Sequence, residues 1–398
     1  MKKPNGKNVK SGKKEKKGNR GVRSRVILMS LLLPVAIGII IGVWMVSYLV
    51  GVYGEMNGKV MVIIYSSLGM SFVSIYLNII FHEAGHLLFG LLTGYSFLSF
   101  RIYSLTFIRE QGKLRLKKFS IPGTAGQCLM APPVGPIDKL PYRLYNYGGV
   151  LMNFVISFLA FLPMLLFPQL SIHGKFLLGG FAAGGFMLGL TNGLPLKAFG
   201  IANDGYNVKS IQKDPVARNS FRLQLELYRR QSAGDRLKDM PEEWFTLPEE
   251  AELSNVMNAY LLYMAYNRDL DRMDFASAKS NLNVLDQVLP KLPISYRNVT
   301  NLGFLFLAIL NGDSEEETEQ YLTKQSKLLM KSARSEINIR RIAYAYYKLY
   351  HKDEKAAEVC RRSLLKLAGN YPVQAEAQMN TMLMEYIDHL SEIRTVNT

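Results

Sequence analysis

The chain has 398 residues, 48% of them hydrophobic, with five His, two Cys and a formal net charge of +16. Cys128 and Cys360 are too few and too far apart for a disulfide framework or a thiolate metal site, and both read as packing residues. The basic excess is local: residues 1–25 hold eight Lys and three Arg against one Glu, with no recognition motif or interleaved aromatics, so no nucleic-acid partner is expected.

Taken in chain order, residues 1–25 read as a basic topogenic tail beside anionic lipid. Four stretches nearly free of charge follow: between Arg25 and Glu55, Lys59 and Arg101, Arg143 and Lys175, and Lys175 and Lys197. Each reaches or approaches the ~20 apolar residues that cross a bilayer. The first, 26–54, is too long for a cleavable signal and ends without a small-residue cleavage pattern. Lys and Arg set the expected orientation. The tail carries eleven and the segment from Arg101 to Arg143 carries eight, whereas the two opposite connections carry only Lys59 and Lys175. A four-span protein with both termini cytoplasmic is predicted, in a bacterial cytoplasmic membrane.

Residues 96–119 alternate apolar and polar around a polar turn at Glu110–Gly112, which predicts a membrane-associated β-hairpin. The following IPGTAGQCLMAPPVGP is dense in Pro and Gly and reads as an ordered loop. From about 211 charges become frequent. Three stretches aligned on Asp274, Asp313 and Asp353 repeat an aromatic-rich helix, a turn and an amphipathic helix. That period of about 40 residues predicts a soluble, tetratricopeptide-like α-solenoid over 211–398, with a surface for a protein partner. The fold class is thus mainly α: a polytopic membrane core over 60–210 and a helical repeat domain.

FHEAGHLLFG, residues 81–90, stands out within the second span. Glu83 is the only formally charged residue between Lys59 and Arg101, and His82 and His86 flank it. Ionisable groups are expensive in hydrocarbon, so their default reading there is functional. On a helix the two His lie one turn apart on one face, and Glu83 is turned about 100° from His82. This is the pattern of a zinc hydrolase, with two imidazole ligands and a carboxylate that takes a proton from water. Zinc needs a third protein ligand and an open position. His173, His351 and His389 lie in the wrong parts of the chain. Asp204, between Asn203 and Gly205 after the fourth span, is the candidate.

These residues resemble the intramembrane site-2 protease metalloproteases. HEAGH is similar to their zinc motif, NGLPLKAFGIANDGYNV (192–208) to their later Asn- and Asp-Gly-containing motif, and GGVLMNFVISFL (148–159) to their middle Gly-Pro-x-x-Asn segment. Val150 replaces the usual Pro, the spacer before Asp204 is longer than usual, and no PDZ-like segment is visible. The resemblance covers about 60–210. It implies that His82, His86 and Asp204 bind Zn2+, that Glu83 is the base, and that Asn153 positions the substrate or its oxyanion. The expected function is a zinc-dependent intramembrane endopeptidase acting on membrane proteins or membrane-bound peptides. The alternative is a non-catalytic membrane scaffold with a structural metal site closed by four protein ligands. A transporter is a weaker third reading, because no inverted repeats are apparent.

Overall fold

A computed structural model describes residues 58–396 apart from 111, 121–123, 199–200 and 334, together with 47, 48, 50, 51 and 54. The expected first span, 26–54, falls largely outside the described residues. Among the described residues three helices are long and apolar enough to cross a membrane, with windows at Val73–Leu92, Ile137–Leu166 and Ile172–Gly193. They belong to α1 (Gly58–Leu92), α2 (Tyr142–Leu166) and α3 (Ile172–Gly193), which all pack against one another. A Cβ on Gly85 would lie 2.4 Å from the Gly148 carbonyl oxygen, and one on Gly148 would lie 2.6 Å from that of Gly85. Backbone therefore meets backbone where α1 crosses α2, the close approach that small residues permit between membrane helices.

The region after α1 is a four-stranded antiparallel sheet in the order β3-β2-β1-β4. Its strands are β1 (Ser96–Ile102), β2 (Leu105–Glu110), β3 (Lys113–Lys118) and β4 (Gly126–Ala131). The expected hairpin over 96–119 is thus corrected to three strands. An additional turn sits at Tyr103–Ser104, where Tyr103 adopts a φ of 50°. The Pro/Gly-dense segment read as a loop supplies the fourth strand. Its QCLMA core pairs with β1, from Ser96 opposite Ala131 to Ile102 opposite Gly126.

β4 lies at the sheet edge and packs on α1, while α5 (Pro215–Ala233) packs on β4 from the helical half. The link between the halves is α4 (Asp204–Gln212). The remainder is helical: α6 (Val256–Asp271), α7 (Phe275–Val288), α8 (Ile294–Asn311), α9 (Glu315–Glu319), α10 (Lys324–Ser332), α11 (Ile337–Ala345), α12 (Glu354–Ala368) and α13 (Gln374–Val396). The aspartates used to align the repeats have local reasons. Asp274 and Asp353 cap α7 and α12 by accepting from Ser277 N and Ala356 N, each at 3.0 Å. In the middle unit Ser314 caps instead, with Glu317 completing a capping box. The second helix there is split into α9 and α10. Phe306, Leu270, Leu282, Leu305, Leu364 and Leu383 are buried in one continuous core.

Candidate metal centre

His82 and His86 project one turn apart from α1, and Asp204 is the first residue of α4. What brings Asp204 to α1 is Asn203. Its Oδ1 accepts from Tyr206 N (2.9 Å) and Leu196 N (3.1 Å), capping α4. Its Nδ2 donates to the Thr191 and Leu194 carbonyls, both at 2.6 Å. The end of α3, which lacks intrahelical partners for its last carbonyls, is thereby stitched to the start of α4.

The three side chains converge. His82 Nε2 is 3.0 Å from Asp204 Oδ2, His86 Nε2 is 3.4 Å from the same oxygen, and the two Nε2 atoms are 3.2 Å apart. The outer ring nitrogens are engaged elsewhere. His82 Nδ1 donates to Asn153 Oδ1 at 2.6 Å, and His86 Nδ1 donates to the Tyr145 carbonyl at 2.8 Å. Both rings are thus held in the tautomer that leaves Nε2 as a lone pair, the arrangement metal-binding histidines require of their outer partners.

Two nitrogens and one carboxylate oxygen in this donor set fit a small divalent cation. For tetrahedral ligands at 2.0–2.1 Å, neighbouring donors stand about 3.3 Å apart, which the 3.0–3.4 Å separations match. His82, His86 and Asp204 thus form a group able to hold a metal ion, with ligand atoms all within 4.8 Å of one another. Glu83 is 7% exposed and sits beside this group outside it. Among the described residues no hydrogen bond or ion pair ties it down. The absent side chain of Gly126 makes its room, since a Cβ there would lie 2.4 Å from Glu83 Oε1. Gly149 does the same for the imidazoles, where a Cβ would meet Nε2 of His82 at 2.6 Å and of His86 at 2.7 Å.

Asn153 is fully buried and already committed: Oδ1 accepts from His82 Nδ1 and Nδ2 donates to the Asn78 carbonyl at 3.1 Å. In this arrangement it faces His82. Asn78 and Tyr145 support the site without having been singled out in the sequence. Asn78 had a signal, being one helical turn before His82 in an apolar run; the Tyr145 contribution is a main-chain carbonyl and had none. Of the other histidines, His173 lies in the first turn of α3, His351 follows α11 and His389 is on α13. No family model, curated protein or solved structure matches the chain.

Proposed function

We propose that the chain is a zinc-dependent endopeptidase of the site-2 protease type, cleaving peptide bonds in or near membrane segments. The observation that carries this reading is the convergence of His82, His86 and Asp204 beside a Glu83 left out of the ligand set, on a helix apolar enough to cross a membrane. A structural site is closed by four protein ligands, whereas three with an open position is the catalytic pattern.

When bound, zinc would lower the pKa of a water ligand and polarise the scissile carbonyl. Glu83, which no hydrogen bond ties down among the described residues, accepts the proton of the attacking water and returns it to the leaving amine. Asn153 and the Tyr145 carbonyl keep His82 and His86 from rotating. The substrate helix must unwind locally, because its own hydrogen bonds occupy its carbonyls. The edge of β4, which passes Glu83 at Gly126, is better placed to pair with the unwound strand than the outer edge of the hairpin. Both termini are taken as cytoplasmic, and the helices of 211–398 as a repeat array that recruits a protein substrate or partner.

The test is metal analysis of the purified protein. His86→Ala and Asp204→Ala are expected to fall from near-stoichiometric zinc to a small fraction and to lose cleavage. Full zinc occupancy in Asp204→Ala would remove it from the ligand set.

A further inference from the structure

Strand alternation gives the sheet two unlike faces. Cys128 and Met130 pack in one buried cluster with Tyr145, and the Met130 sulfur fills the space beside Gly90 of the apolar helices. Ser99, Arg101, Gln127 and Leu129 turn the other way and line a cavity of about 360 Å3 against the helical half. The metal-ligand residues take no part in it. Its volume lies at the small end of the roughly 300–1,000 Å3 range of small-molecule sites.

Among the described residues, two buried polar atoms on its wall lack partners, and they are of opposite kind. Arg101 is 2% exposed. Its terminal nitrogens donate to the Tyr103 carbonyl (2.9 Å), Thr124 Oγ1 (2.5 Å) and the Gly126 carbonyl (3.3 Å), but its buried Nε has no acceptor among the described residues. Glu336 occupies the position before α11, yet its side chain makes no capping bond. Its buried Oε1 has no donor among the described residues. Among the described residues no ion pair joins Arg101 to Glu336. Unsatisfied buried groups are costly and uncommon, so a missing donor and a missing acceptor on one cavity point to an occupant that supplies both.

The remaining wall indicates the sign of that occupant. Glu376 also lines the cavity, with an oxygen accepting from Asn338 Nδ2 at 2.6 Å. Tyr228, Tyr260 and Tyr263 add aromatic surface. Burial pushes the carboxyls of Glu336 and Glu376 up to about 7, so a cation beside them offsets the cost of their charge. Arg341 relieves Glu376 in part from behind the wall, where its guanidinium lies 4.1 Å over the Phe306 ring; Glu336 keeps the open oxygen.

We propose that this cavity binds an amine-bearing amino-acid group, its ammonium held by Glu336 and Glu376 among the tyrosine rings and its carbonyl or carboxylate oxygen accepting from Arg101 Nε. The same chemistry is offered by a free amino acid and by a lysine residue within a peptide. Arg101 also holds the carbonyl of Gly126, the residue packed on Glu83, so an occupant sits one strand away from the metal-ligand group.

The test is calorimetric titration of the full-length protein in detergent with free L-lysine, Nα-acetyl-L-lysine amide and Nα-acetyl-L-norleucine amide. Binding is read without cleavage, so the result is independent of the peptidase reading. Saturable binding of a lysine probe is expected, with none for norleucine. Tighter binding of free lysine would identify an amino-acid site, and tighter binding of the amide a peptide site. Glu336→Gln and Glu376→Gln should each weaken binding at least about tenfold with unchanged circular dichroism; should one fail to fold, the other carries the comparison. The proposal is overturned if neither lysine probe saturates, if norleucine binds as well, or if the folded Gln variants keep wild-type affinity.

Discussion

Gly149 shows how closely the metal centre depends on single atoms. Alanine is the better helix former by about 1 kcal/mol, so Gly149→Ala would help an isolated α2. In the folded chain its methyl lies 2.6–2.7 Å from both Nε2 atoms and forces the imidazoles out of convergence. Gly149→Ala should therefore lose most of its bound metal while remaining folded, measured by metal content beside circular dichroism; undiminished metal would contradict the packing described. Asn153 allows a separate test of how the rings are oriented. Asn153→Leu removes the acceptor for His82 Nδ1 and should weaken metal binding about 10–100-fold, whereas Asn153→Asp keeps an acceptor and should restore much of it. Equal affinity in the two variants would show that the hydrogen bond at 2.6 Å does not orient the ring.

Among the elements, helices left the clearest trace in the sequence. α1, α2 and α3 were visible as charge-free runs, each long and apolar enough to cross a membrane. The turns at Asp274 and Asp353 were visible because caps need short polar side chains. Asp204 was findable because it is the first acidic residue after the last charge-free run and Asn203 and Gly205 beside it suit a helix break. β4 was not, since its six residues lie between Gly- and Pro-rich flanks that outweigh so short an apolar run. The Tyr103 turn carries no Gly or Pro in the two positions that form it, so β1 and β2 read as one strand. Within the helical half, Arg236 Nε donates to Asp271 Oδ1 at 2.8 Å, and the other Asp271 oxygen accepts from Lys238 N at 3.1 Å. Asp271 is 2% exposed. Asp271→Ala leaves Arg236 unpaired and should destabilise the helical half by about 3–5 kcal/mol, read from chemical denaturation; a loss below about 1 kcal/mol would show the pair to be dispensable.

For the molecule as a whole, the seam between sheet and helices carries a pH dependence. Glu336 and Glu376 titrate near 7 when folded against about 4.3 when unfolded. Burial is the main cause, opposed at Glu336 by Arg101 and at Glu376 by Asn338 and Arg341. A carboxyl raised on folding contributes stability that is complete below the unfolded value and disappears as pH rises through the folded one. Wild type should thus lose stability between about pH 4 and 7 relative to the Glu336→Gln, Glu376→Gln double variant, measured by unfolding across that range. Parallel curves would mean that neither carboxyl is buried as described. The central claim, that Glu83 is the base beside a metal it does not bind, is tested most directly by Glu83→Gln. Purified Glu83→Gln should hold as much zinc as wild type, and cells carrying it should accumulate membrane proteins as uncut precursors that wild-type cells cleave. Cleavage at the wild-type rate by Glu83→Gln, or loss of its zinc, would contradict the account.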